Sequence, residues 1–502
     1  MHIESIVRYT SIMIAIFLIL FISKIALADI YYVDTNIKND RGDGSEAKPK
    51  KYIQSGISLM SENGGDTLIL KDGTYSHKND DMNWFVSGLP SNYNIIKSEN
   101  DGAVIVTTDL NIKNTKYVQI EGLKFISQSQ KSIQESNHIK IIRTAFEGGP
   151  MLDNTSILGI GTNDQGSPTE YILIEDCWVY GAGGRYNISV YKSDKVILRR
   201  LVLRHDIGWS NKLKPDPEGV VTIYNSNKII SQNIVLVDSQ YNPNNKGSDW
   251  SVFSFVNNPA SGGPSGDNSI SGCIAINSYG TSIALDGYGD VLNTKITDCV
   301  MWKNLSINPF SSDPESRGVG ISINGPDSTK NISATNLTIG NHLIGAAIWN
   351  NRAGKMSLDI NNSIIFNNRS ALSHDPKIRD VSNNCFDNNL ENCLKDKRQS
   401  LNPFINGLSF LPRIEAGSPL SNLGIGKSRI GANVVFKIGQ SGTLYGDPGY
   451  DQLTNESLWP WPNQERIRAD MAAVDKRGFT SGSYSLTDYI WSALGKPTPN
   501  KF

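Results

Sequence analysis

Apolar and polar residues alternate over short runs that end at Asn, Asp or Gly, and from about Tyr117 one such run recurs. YILIEDCWVYGA (171–182), VILRRLVLRHD (196–206), KIISQNIVLVDS (228–239), NSISGCIAINS (268–278), TKITDCVMWKN (294–304), NISATNLTIGN (331–341) and SLDINNSIIFNN (357–368) can be written under one another. One column then reads Cys177, Leu201, Ile234, Cys273, Cys299, Leu337 and Ser363. Two residues on, another reads Val179, Leu203, Leu236, Ala275, Met301, Ile339 and Ile365. A period of two sends alternate side chains to opposite faces, so both columns point one way. Each unit carries a second run: NISVYKS, VVTIYNS, FSFVNN, SIALDG, VGISING and AAIWNN. A constant strand pattern at uneven intervals predicts a coil of short parallel strands with insertions on one side. Cys177, Cys273 and Cys299 share their column with Leu and Ile, which makes them small apolar core residues rather than nucleophiles.

Two questions stay open at this level. The intervening column, Trp178, Val202, Val235, Ile274 and Val300, is also apolar. Either other segments cover it, or inside and outside are reversed. Asn277, Asn341 and Asn367 share one aligned position. They read equally as an interior amide ladder or as ordinary turn residues.

An open coil end exposes core and unpaired strand edges, so covers are expected. Lys51–Asn63 has Ile53, Ile57 and Met60 at helical spacing with Gly64 after it, an N-terminal capping helix. At the other end, 458–471 predicts a helix entered through Trp459 and Trp461. Ser485 to Asp488 predicts a second, stopped by Gly495 and Pro497. The expected organisation is a signal peptide over 1–28, a capped coil over 29–438 and a small helical appendage over 439–502. The signal rests on Arg8, the apolar run 12–22 and Ala26-Leu27-Ala28; the run is short for a membrane span. A secreted or periplasmic protein follows, with an uncleaved anchor as the alternative. In that compartment Cys385 and Cys393, outside the repeat, can close a small disulfide loop. The 502 residues carry a net charge of −1, which gives no sign of nucleic-acid or membrane-surface binding. Charge arguments must therefore be local.

The segment YYVDTNIKNDRGDGSEAKPKKYIQSGISLMSENGGDTLILKDGTY (31–75) resembles the opening of the pectate-lyase-like right-handed parallel β-helix superfamily. The resemblance is carried by Asp34, Gly44, Ser45, Pro49, Ile53, Gly65-Asp66-Thr67 and Asp72-Gly73-Thr74-Tyr75. The repeats to about residue 370 and SPLSNLGIG with IGA (418–432) fit the same pattern. It implies an all-β fold, a right-handed parallel β-helix. It implies less about activity, because lyases, hydrolases, epimerases and non-catalytic binders share the coil.

Proteins of that shape usually hold their substrate along one sheet, here expected on the second runs. Lys192, Asn225, Asn257, Asp286, Asn324 and Asn350 align at the strand ends, with Tyr191, Tyr224 and Trp349 adjacent. Such a ledge suits sugars, whose ring faces stack on aromatics while hydroxyls meet amides. The plainer reading makes the Asn and Asp strand terminators. Between Arg185 and Lys214 stand eight Lys or Arg residues against Asp194 and Asp206 alone. That is either a solvated face or a field for an acidic, uronate-containing polysaccharide. Such polymers are cleaved by β-elimination, which needs a base and neutralisation of the carboxylate. Lys192 is the candidate base, Arg185 the carboxylate partner and His205 an assistant. Calcium is the other route to neutralisation, with Asp286 and Asp290 as oxygen ligands. The same two aspartates are the candidates for glycoside hydrolysis, although the polygalacturonase segments are absent. For uronate epimerisation only HDPK (374–377) approaches a signature. A non-catalytic polysaccharide binder is the remaining alternative.

Overall fold

A computed structural model describes residues 28–495 apart from 152–154, 162–165, 207–218, 241–250, 258–264, 279, 303–317, 326–327, 350–353, 374–377, 380–383, 388–397 and 400–407. Every rung turns at left-handed corners. Asp176, Arg200, Asn233, Asp298, Asn336 and Asn362 all have φ between 49 and 55°. This conformation disfavours most side chains and is best tolerated by Asn and Asp, which is why those residues precede the Cys177 column. Between corners the chain is extended. Thr169–Glu175 lies in a first sheet, Trp178–Ala182 in a second, Tyr186–Tyr191 in a third, and Ser193–Arg199 returns to the first. Among the described residues these sheets have fourteen, thirteen and ten strands, all pairing in parallel. The result is the right-handed parallel β-helix that the sequence implied.

The ladder reproduces the repeat alignment. Trp178 pairs with Val202, Val202 with Val235, Ile274 with Val300 and Thr338 with Ile364. Cys177, Leu201, Ile234, Cys273, Cys299, Leu337 and Ser363 therefore form one interior file, none more than 4% exposed. Complete burial of each apolar member contributes about 1.5–3 kcal/mol. The asparagine position is shifted by one residue from an interior ladder. Asn277, Asn341 and Asn367 occupy left-handed corners and are partly exposed. The side chains that turn inward are Ser278, His342 and Asn368, all buried.

At the N-terminal end, helix α1 (Ile53–Ile57) buries Ile53 and Ile57 over the first rung. Gly56 is required there, since a Cβ would meet Val33 Cγ2 at 2.5 Å. The helix is shorter than the spacing predicts because Asp66 captures the chain that follows. Its carboxylate accepts from Ser61 N at 2.6 Å and Asp29 N at 2.9 Å. Tyr75 closes the same rung by donating to Val33 O and Lys71 O at 3.1 and 2.8 Å.

The apolar outer column of the second sheet is covered. Trp178, Val202, Val235, Ile274 and Val300 pack against Phe410, Val434, Trp459, Trp461, Met471 and Trp491 in a second buried cluster. Helices α2 (Gln464–Val474) and α3 (Leu486–Ala493) belong to this cover. Ser485 caps α3, accepting from Asp488 N at 3.1 Å. The external segment begins by Leu408, about thirty residues before the expected boundary at 439, because Leu408, Leu420 and Ile430 already pack on Ile364 and Phe366. Residues 444–450 extend the cover to the first sheet over Leu173, Ile197 and Ile230.

Candidate functional site

Among the described residues these clusters place the segment after Leu408 on the first two sheets, yet Thr222, Ser254, Ala284, Ser322 and Ala347 on the outer face of the third are buried as well. Its strands include Tyr186–Tyr191, Gly219–Tyr224, Ser251–Asn257, Thr281–Gly287, Val319–Ile323 and Ile344–Ile348. Val190, Ile223, Phe255, Leu285, Ile323 and Ile348 point into the core. Alternation therefore turns Ser189, Thr222, Ser254, Ala284, Ser322 and Ala347 outward as a floor of small side chains. Neighbouring hydroxyls pair along it, Ser156 with Ser189 at 2.9 Å and Thr222 with Ser254 at 2.6 Å.

The next outward column is the ledge. Tyr191 pairs with Tyr224, Tyr224 with Val256 and Val256 with Asp286. Ile323 and Ile348 pair, so Asn324 and Trp349 continue the same line. This corrects the alignment read from sequence. Asn257 pairs with Gly287, not with Asp286. Gly287, at φ +87°, holds the corner that Lys192 and Asn225 hold on earlier rungs at φ 47 and 48°. Asp286 and Asn324 thus lie beside the tyrosines, while Asn225 is buried at the corner. The rings of Tyr191 and Tyr224 stack 4.9 Å apart and 15° from parallel. Lys192 Nζ lies 5.7 Å from the Tyr191 ring. Asn350 and Cys393 fall outside the described residues, and with them the last ledge position and the Cys385–Cys393 disulfide; so do residues 1–27 of the expected signal.

The three residues nominated for catalysis are not brought together. Arg185 precedes the strand that Lys192 follows, so their backbones stand on opposite borders of the sheet, roughly 20 Å apart at 3.3 Å per residue. His205 belongs to the second sheet, paired with Gly181, and is 1% exposed. Burial pushes its pKa down to about 4, so it is neutral inside the fold. The sign is clear: the unfolded chain takes up a proton near pH 6.5, the folded chain only near 4, so stability is full above 6.5 and lost as pH falls between the two. This one group is expected to cost about 2 kcal/mol by pH 5. Denaturation curves of His205→Gln against the parent across that window check it, since the variant should lose the slope.

Most of the apparent cationic field is neutralised at close range. Arg199 and Arg200 share the Glu175 carboxylate, Arg200 also reaches Asp176, Arg204 pairs with Asp206, and Lys195 with Glu170 and Asp194. The three arginines are fully enclosed by sheet and C-terminal segment. Lys212 and Lys214 lie outside the described residues. Arg185 lies over the Tyr186 ring at 5.8 Å, on the border of the third sheet opposite Lys192.

Asp286 and Asp290, the expected calcium ligands, each accept a backbone N–H. Asp286 accepts from Gly287 N at 2.7 Å and Asp290 from Thr329 N at 2.6 Å. The buried Lys330 ammonium, 2.8 Å from Gly287 O, is attracted to both carboxylates. Among the described residues no three His, Cys, Asp or Glu side chains gather as metal ligands. Burial raises the Asp286 carboxyl above its ordinary range against the pull of Gly287 N–H and Lys330.

Sequence reasoning missed the two buried lysines. Lys131, fully enclosed, donates to Ser127 O, Glu147 O and Gly148 O at 2.8, 3.0 and 2.6 Å, and burial pushes its pKa down to about 7. Nothing in KSIQ or KNIS marks these ammonium groups as interior, because each needs carbonyls from another turn, Glu147 O and Gly148 O for Lys131 and Gly287 O for Lys330.

No protein-family profile matches the sequence, and no curated protein does. Solved structures match the coil. One is a mannuronic-acid-specific family 6 polysaccharide lyase from the human gut microbiota, 13% identical over 72% of this chain and 79% of that one, TM-score 0.43. A pectate lyase is 15% identical over 80% and 93%, TM-score 0.39. A surface adhesin of Streptococcus pneumoniae is 12% identical over 72% and 90%, TM-score 0.39. What this chain does must be argued from its own residues.

Proposed function

We propose that this protein is exported and holds an acidic, uronate-containing polysaccharide across the outer face of the third sheet, cleaving it by β-elimination with Lys192 as base. The observation that carries the reading is the juxtaposition of the Tyr191–Tyr224 stack with the Lys192 ammonium at the border of the third sheet. Aromatic rims and small hydroxyls suit a sugar ring, and the lysine supplies an amine beside it. In the reaction Lys192 removes the proton beside the carboxylate. The electron pair moves into a new double bond, the glycosidic C–O bond breaks, and the leaving oxygen takes the proton that the Lys192 amine removed. Arg185, on the far border, anchors an acidic unit rather than the reacting one. Asp286, Asn324 and Trp349 extend the ledge along the polymer.

The test is incubation with alginate, pectate and glycosaminoglycans, with and without calcium. Ultraviolet absorbance from unsaturated ends supports elimination. New reducing ends without that absorbance would mean hydrolysis instead, for which Asp286 and Asp290 are the carboxylates. A second reading, a non-catalytic binder, is favoured by the separation of Arg185 from Lys192 and the enclosure of His205. Retained affinity with no product of either kind would decide for it. Under both readings Tyr191→Ala or Tyr224→Ala is expected to weaken binding by about 0.5–1.5 kcal/mol, measured by calorimetry or affinity electrophoresis.

A further inference from the structure

Cys273 and Cys299 are consecutive members of the interior file. Ile274 pairs with Val300, and Val300 N–H donates to Cys273 O at 2.9 Å. The two cysteines therefore stack one rung apart at the corner between the first and second sheets. Neighbouring strands lie about 4.8 Å apart, within the Cα separation of about 4.4–6.8 Å that a disulfide spans. Both are buried, 4% and 1% exposed, and each thiol leans back on the carbonyl two residues earlier, Ser271 O at 3.5 Å and Thr297 O at 3.2 Å. The two sulfurs thus lean the same way on adjacent rungs. Burial and the adjoining Cys273 thiol together hold the Cys299 thiol well above its ordinary pKa. Cys177 occupies the same file between Thr144 and Leu201 and has no cysteine beside it.

We propose that Cys273 and Cys299 are a redox site that closes a disulfide across adjacent rungs when the chain folds in an oxidising compartment. The oxidant is a small-molecule disulfide such as oxidised glutathione. One cysteine thiolate attacks it, a mixed disulfide forms and one small thiol leaves. The second cysteine thiolate then attacks the protein sulfur of that mixed disulfide and the second small thiol leaves. Two electrons pass to the oxidant, and the two thiol protons end on the released thiols. The enclosed, protonated thiols of the finished corner react slowly, so the bond forms during folding. The cross-link closes the loop between two rungs and restricts the unfolded chain. This inference is independent of the polysaccharide reading.

The full chain, with Cys385→Ser and Cys393→Ser to remove a competing pair, is reduced, denatured and refolded in a glutathione redox buffer. It is then alkylated, digested and mapped by mass spectrometry. The expected result is one linked peptide pair containing Cys273 and Cys299, lighter by two hydrogens, with Cys177 alkylated. A reductant should lower the denaturation midpoint, and Cys273→Ser should abolish that response. The parent chain mapped in the same way serves if the double variant fails to fold. Full alkylation of both cysteines after oxidative refolding overturns the proposal, as does linkage of either to Cys177.

Discussion

Lys192→Asn is expected to lower the rate of appearance of unsaturated ends by roughly 10²–10⁴-fold, the usual contribution of a positioned proton acceptor. Asparagine is the informative replacement because Asn225 holds the same left-handed corner on the next rung, at φ 48° against 47°. Alanine would bear the same left-handed strain of about 1–2 kcal/mol that lysine already carries, without the local tolerance of asparagine. Lys192→Arg separates the two roles of the ammonium. It keeps the positive charge beside Tyr191 but cannot give up its proton, so KM should hold while kcat falls. If either variant kept the parent kcat, Lys192 would not be the base and the binding reading would replace elimination.

Glu175→Ala is expected to destabilise the fold by about 3–5 kcal/mol, as removal of one partner from a buried ion network does. Glu175 is 1% exposed and sits between Arg199 and Arg200, both equally enclosed. Its second oxygen accepts from Gly442 N at 2.7 Å. Arg199 in turn donates to Gln440 O at 2.6 Å and Tyr450 O at 2.8 Å. Without the carboxylate Arg199 stays buried with its charge uncompensated, Arg200 keeps Asp176 alone, and the anchor of residues 440–450 to the first sheet loosens. Urea denaturation should give a lower midpoint, and limited proteolysis should cut earlier in that segment. Glu175→Gln, which keeps one acceptor, should lose less. A change below about 1 kcal/mol for the alanine variant would mean that the network is solvated and contributes little.

The legible parts of this chain were those governed by neighbours in sequence. The file through Cys177, Cys273 and Cys299 could be read because alternation and Asn or Asp corners repeat on every rung. The alignment failed where one residue type replaced another in a role. Gly287 stands at a corner usually marked by Asn or Lys, so Asp286 was placed one position late. The asparagines at 277, 341 and 367 were equally ambiguous, because a corner residue and an inward residue sit side by side.

The candidate groove was harder. Lys192 and the two tyrosines stood out by their repeated position, and the ladder keeps them together. Arg185 seemed close to Lys192 in sequence, yet an extended strand carries the two to opposite borders. The run of cations suggested an open positive field, but Glu170, Glu175 and Asp176 come from the preceding rung and its carbonyl acceptors from more than 240 residues away.

By itself the sequence determined the rung: alternation set which side chains enter the core, and residues tolerant of positive φ set where the chain turns. Only the tertiary structure decided which outer faces the C-terminal segment covers and which charges are neutralised. The physical reason is range. Alternation and corner preference act over a few residues, whereas burial and ion pairing depend on whatever the returning chain lays on top.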